Sequence, residues 1–180
     1  MSLKELTKEH HTNAERQDFV KVMFKGDMSA KTYATYLWNQ FPMYELLEVL
    51  CNTHGLLLDL DDIPRRNAIL KDFEELWEDK ENKPPLCPVV KEYLDHIMSI
   101  KHDPHKLMAH VYVRHMGDLS GGQMIAKRVP GEGRMYKFND PDLLKQKIRA
   151  KIDDYMADEA KLCFEFATKL FKQMMDHVNE

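Results

Sequence analysis

The sequence predicts an all-α protein folded as a single domain over residues 1–180. Apolar residues recur at three- and four-residue spacing along most of the chain, and no segment keeps the period-two alternation that a half-buried strand requires. The chain holds only 7 Gly and 8 Pro. Most of them fall between the periodic segments, where they act as punctuation.

Taken in order, residues 2–24 have helix-forming composition and stop at Lys25-Gly26-Asp27. Ser29 is placed to cap a second helix that reaches His54-Gly55, with Pro42 inside it as a kink or a split. Asp61-Asp62 and Pro64 open a third helix, which ends before Asn82-Lys83-Pro84-Pro85. Pro88 starts a fourth, running to about Lys101. Asp103-Pro104 pairs a cap with a first-turn proline and begins a glycine-bearing helix that ends near Val129-Pro130-Gly131. Asn139-Asp140-Pro141 repeats that signal for a helix over 141–152, and a last amphipathic helix covers roughly 157–177.

At 43% hydrophobic and 31% charged, the chain can bury one substantial core. A net charge of −4 gives no general reason to expect nucleic-acid binding, although residues 145–151, KQKIRAK, form a local basic patch suited to an acidic ligand or partner. Cys51, Cys87 and Cys163 are odd in number and lack CxxC spacing, which fits a reducing cytosol. The N-terminal MSLKELTKEHH lacks the apolar stretch of a signal peptide, and no apolar run approaches the ~18 residues of a membrane span. The expectation is a soluble, cytoplasmic monomer that binds neither membrane nor nucleic acid.

Residues 107–124, LMAHVYVRHMGDLSGGQM, carry the most information. Gly117, Gly121 and Gly122 fall within six positions of one amphipathic pattern. Their combined cost in a helix is about 2–3 kcal/mol against alanine. Such a cost is accepted where the backbone must bend, or where something large and flat lies against it; close helix packing is the alternative. At about 100° per residue His110, Arg114, Gly117 and Gly121 share one stripe, with Asp118 beside it. In the first helix Lys4, Lys8, His11 and Glu15 are spaced 4, 3 and 4, within an arc of roughly 60°. A solvated charged face would look the same.

Ala109-His110-Val111-Tyr112-Val113-Arg114-His115-Met116-Gly117-Asp118-Leu119-Ser120-Gly121-Gly122 resembles the distal-helix signature of the heme oxygenases, and Lys8, His11 and Glu15 resemble their proximal Lys-x-x-His-x-x-x-Glu. The resemblance covers nearly the whole chain and is strongest at 4–15, 107–124 and 145–149. It implies a heme oxygenase-like fold with heme b, at once substrate and cofactor, sandwiched between a proximal helix and a kinked, Gly-rich distal helix. His11 then takes the axial iron-ligand role, with Glu15 holding its second ring nitrogen. His10, about 100° away on the helix and outside the motif, is the competing ligand. Lys4, Lys8, Lys145 and Arg149 match the family's propionate-side cations, with Tyr112 able to donate there too. Gly117 and Gly121 bring backbone close to the ring, Gly122 completes the glycine run, and Asp118 orders distal water, a network that Arg114 and Tyr112 extend.

The implied reaction is O2-dependent cleavage of heme at a meso carbon, the α carbon in the family, to biliverdin, CO and ferrous iron. It consumes electrons. Gly131-Glu132-Gly133 lacks the strand–helix context of a dinucleotide-binding GxGxxG, so no bound flavin or nicotinamide is expected. Reduced ferredoxin is the expected donor, drawn to Lys145, Lys147, Arg149 and Lys151. For Lys145 and Arg149, docking and propionate binding are both open.

Three departures stand out: His115 where an aromatic is usual, Phe41 in place of a distal tyrosine, and a short connection over 151–158. A non-catalytic heme carrier is the rival reading. A di-iron carboxylate protein needs Glu-x-x-His pairs, and no glutamate here has a histidine three residues later. A helical thiamin-degrading enzyme would need a nucleophilic cysteine, and Cys163 is the one candidate.

Overall fold

Ser2 opens the structure, a computed structural model that describes residues 1–179. Its side chain accepts the Glu5 N–H while Glu5 reaches back to the Ser2 N–H. The helix so capped, α1 (Leu3–Leu6), lasts one turn. Thr7 then takes φ −104°, ψ 2°, and its hydroxyl donates to the Leu3 carbonyl at 2.9 Å. A threonine hydroxyl competing for the backbone in this way favours a helix end. After α2 (Lys8–Glu15), Gln17 is extended, and α3 (Asp18–Lys25) follows. The one helix expected over 2–24 is therefore three. The continuous edge from Lys4 to Glu15 is interrupted at Thr7.

Gly26 ends α3 with φ +81°, a left-handed residue after the last turn. Ser29 caps α4 (Ala30–Thr53) by accepting the Thr32 N–H at 3.0 Å. Pro42 does not split this helix, which runs unbroken through 24 residues. Its buried positions include the consecutive run Thr32, Tyr33, Ala34, Thr35, Tyr36 and Leu37, so neighbours cover it on every side. It packs against α5 (Arg66–Leu76), α6 (Pro88–Ser99) and α7 (Pro104–Leu119).

Buried polar side chains of α4 serve those neighbours. Asn39 Oδ1 accepts the Cys87 N–H at 2.6 Å at the start of α6. Glu48 accepts the N–H groups of Arg65 at 2.7 Å and Arg66 at 3.1 Å at the start of α5. A carboxylate there satisfies orphan donors and opposes the positive helix end. The third helix accordingly begins at Arg66, later than Asp61 and Pro64 suggest.

Asp103 caps α7 and Asp140 caps α9 (Pro141–Arg149), each with proline next, as the spacing predicts. α7 stops at Leu119, because Ser120 turns to φ −103°, ψ −91°; only the short α8 (Gly122–Ile125) continues towards Val129. α10 (Ala157–Met174) closes the bundle, lying on α2, α6 and α7. Single 3-10 turns occur at Arg134–Tyr136, Asp154–Met156 and Met175–His177. One apolar core runs through the elements, and no helix among the described residues is long and apolar enough to cross a membrane.

Candidate functional site

α2 and α7, which carry most of the expected site residues, both pack on α10. On α2, the His11 ring stacks on Phe164 of α10, centroids 5.3 Å apart and 25° between planes. About half of the His11 side chain is exposed, which leaves it open to a ligand. Glu15 lies 2.7 Å away, as the spacing predicts, but on Nε2. The expectation placed Glu15 on the nitrogen that does not ligate; the i,i+4 geometry of α2 instead sets its carboxylate against the outer ring nitrogen. His10 turns elsewhere, pairing with Glu165 of α10 at 3.4 Å and lining a groove with Glu5, Lys8 and Arg16.

Gly117, near the end of α7, and Gly121, just before α8, are exposed. A Cβ built on Gly117 meets nothing within 4 Å, and one on Gly121 meets only the Gly117 carbonyl, at 3.9 Å. Both glycines leave bare backbone facing open space, and neither is held small by a packed neighbour. Gly122 differs. Its Cβ would fall 2.6 Å from the Tyr136 ring, so it is small because an aromatic side chain covers it. Gly122, which the resemblance groups with the cofactor-binding residues, is packed against this ring.

Asp118 is 7% exposed and accepts the Tyr44 hydroxyl on Oδ2 at 2.8 Å. Burial raises its pKa to about 7, only partly opposed by the charges and donors of His115, Tyr44, Arg65 and Arg114. Near neutrality this carboxyl therefore both holds and releases a proton. Among the described residues Arg114 forms no ion pair with it. The buried guanidinium donates from Nε to Tyr93 Oη at 2.9 Å and from Nη1 to Gln40 Oε1 at 3.3 Å, and lies over the Tyr93 ring. Gln40 in turn donates to Tyr36 Oη at 2.6 Å. Arg114 is thus fixed in a second polar cluster beside Asp118.

Tyr44 is the residue that sequence reasoning missed. Phe41, flagged as the replaced distal tyrosine, stacks on Trp38, while the hydroxyl reaching Asp118 comes from one turn further along α4. His115 also has its explanation: its Nε2 meets Glu48 Oε2 at 2.9 Å, with both side chains essentially inaccessible.

Tyr112 is half-buried on α7 beside Thr7 and Arg149. Burial raises its pKa, while Thr7 and Arg149 act in the opposite sense. This brings the α1–α2 junction, α7 and the end of α9 to one place. Lys147 and Lys151 are engaged by Asp59, through its carbonyl at 3.0 Å and its carboxylate at 2.9 Å. Among the described residues Lys4, Lys8, Lys145 and Arg149 form no ion pair, so their charge is available to an external anion. Cys163 is wholly buried, which removes it as an accessible nucleophile.

The heme oxygenase family model matches residues 1–180. A curated relative, heme oxygenase 2 of Macaca fascicularis, is 30% identical over 96% of this chain, which spans 64% of that protein's length. The structure of heme oxygenase from Leptospira interrogans superposes with TM-score 0.79 at 29% identity, covering 95% of this chain and 98% of that one. Heme oxygenase-1 from the cyanobacterium Synechocystis, solved in complex with heme, has the same fold, with TM-score 0.87 at 23% identity over 98% of this chain and 92% of that one. With its whole length matched by the family model, the chain belongs to the heme oxygenase family.

Proposed function

We propose that this protein binds heme through His11 and cleaves it with O2 at a meso carbon, the α carbon, to biliverdin, CO and ferrous iron. The bare backbone at Gly117 and Gly121, with Asp118 between them, carries this reading, because a flat macrocycle needs an open helix face and a proton source beside it. Solved relatives of this fold hold heme, as the Synechocystis complex does.

The donor set fits the group. His11 offers a half-exposed imidazole beside the Phe164 ring, and its Nε2, which faces Glu15, would hold the heme iron. Lys4, Lys8, Lys145, Arg149 and Tyr112 supply cations and a hydroxyl for two propionates, which set the ring's orientation and hence the carbon attacked. Heme itself supplies the iron that binds O2 and the carbon that is oxidised. Asp118, close to half-ionised at neutral pH, relays protons through water to the distal face. Tyr44 fixes its carboxylate, and Arg114, held by Tyr93 and Gln40, keeps positive charge nearby. Electrons come from reduced ferredoxin, docked on the basic side of α9.

Adding heme and then reduced ferredoxin under air tests the reading. The Soret band should give way to biliverdin absorption. A Soret band that forms and then persists would make the protein a heme carrier.

A further inference from the structure

Away from His11 and Asp118, three other side chains converge. His96 of α6, His110 of α7 and Glu159 of α10 each bring a ligand atom into a cluster no more than 4.8 Å across. Glu159 Oε1 lies 2.5 Å from His96 Nε2 and 2.8 Å from His110 Nε2. The His110 side chain is fully buried, whereas 20% of His96 and 12% of Glu159 remain accessible, so the cluster opens to solvent on one side. We propose that His96, His110 and Glu159 form a site for a divalent transition metal of the zinc type, with three protein ligands and a fourth position taken by water.

The donor types select that class. Two imidazoles and one carboxylate suit zinc and its first-row neighbours, whereas calcium and magnesium favour all-oxygen sets. Bonds of about 2.0–2.1 Å at tetrahedral angles separate ligand atoms by roughly 3.3 Å. The carboxylate therefore has to withdraw less than about 1 Å from either ring, and the two imidazole nitrogens, within 4.8 Å of each other, have to close by at most about 1.5 Å, within reach of side-chain torsions.

The outer shell is also in place. His110 Nδ1 lies 2.7 Å from the Tyr93 hydroxyl, the type of contact that fixes a ligating imidazole's tautomer. The same hydroxyl accepts Arg114 Nε at 2.9 Å. A metal here would clasp three helices, one of them the glycine-bearing α7, one turn before Arg114. This site is independent of the heme reading, since it shares no residue with the His11 set.

The test titrates the heme-free full-length protein with cobalt(II) chloride, followed by displacement with zinc. One equivalent should give tetrahedral d–d bands that zinc abolishes. His96→Gln, which alters a partly exposed side chain and retains a hydrogen-bonding group, should weaken binding at least tenfold, and Glu159→Gln should do the same. The double variant His10→Gln/His11→Gln should bind as the wild type does. Zinc should raise the Tm of the wild type and leave that of His96→Gln unmoved. Absence of stoichiometric cobalt binding would overturn the proposal and leave a hydrogen-bonded triad. Undiminished binding in His96→Gln, or loss in the His10/His11 variant, would overturn it equally.

Discussion

Tyr44 of α4 donates its hydroxyl to Asp118 of α7 across 2.8 Å, a buried contact that joins residues 74 positions apart and holds the carboxylate. The donor favours the ionised form of Asp118, while burial works harder in the opposite direction. Tyr44→Phe removes only the favourable contact. The Asp118 pKa should then rise above about 7, read from its carboxyl 13C chemical shift against pH. Stability should fall by about 1 kcal/mol, as for a lost hydrogen bond. An unchanged titration curve would show that this contact does not tune the carboxyl.

The raised pKa of Asp118 also makes the fold pH-dependent. Its value is about 7 when folded and near 4 when unfolded, so between those limits the folded state holds a proton that the unfolded state has lost. Its contribution to stability is fully present below about pH 4 and is lost as pH rises through 7, at about 1.4 kcal/mol per pH unit. Heme-free Asp118→Asn should therefore be more stable than wild type at pH 8, by as much as about 4 kcal/mol. The difference should shrink towards pH 4. Urea unfolding at both pH values measures it, and a pH-independent difference would contradict the burial argument.

The glycines of the distal segment should separate into two behaviours. Gly117→Ala has room for its Cβ and gains helix propensity, so the heme-free protein should be stabilised by up to about 1 kcal/mol. The same methyl group narrows the proposed heme face and should weaken heme binding. Gly122→Ala instead meets the Tyr136 ring and should lower the Tm of the heme-free protein. Equal behaviour of the two variants would remove the distinction between an open face and a packed one.

Helix starts were legible in the sequence where a single side chain makes the cap. Ser29, Asp103 and Asp140 accept the N–H groups their spacing predicts, and Pro88 and Pro104 occupy first turns. The interruption at Thr7 was not, because a helix former on either side hides one hydroxyl that prefers the Leu3 carbonyl. Nor did periodicity reveal Tyr44 or the His115–Glu48 pair, 67 residues apart: such contacts depend on which face of α4 meets α7. Local motifs pointed to Asp118 and to His11 with Glu15, and packing supplied Tyr44 and Phe164.

His115 and Glu48 are buried together, and Glu48 also caps α5. His115→Phe strips one partner from an acidic group that stays inaccessible. Unfolding should become easier by about 3–5 kcal/mol, the range for breaking a buried ion pair by removing one partner. A change below about 0.5 kcal/mol would show that the two backbone N–H groups suffice for Glu48.

Among the described residues Lys145 and Arg149 form no ion pair, unlike Lys147 and Lys151 on Asp59, and Arg149 lies beside Tyr112. Replacing both with alanine should weaken heme binding or change the mixture of biliverdin isomers. Unchanged affinity and isomers, together with slow electron uptake from ferredoxin, would assign the pair to docking instead.

The most direct test of the account compares heme binding and biliverdin formation in wild type and Asp118→Asn, with Asp118→Ala alongside. Asp118 lies outside the proposed iron and propionate contacts, so heme affinity and the His11-ligated spectrum should stay nearly the same. Loss of the proton relay should slow biliverdin formation by about a hundredfold or more. Normal biliverdin formation in both variants would contradict the central claim that the buried, near-neutral carboxyl of Asp118 drives the distal chemistry.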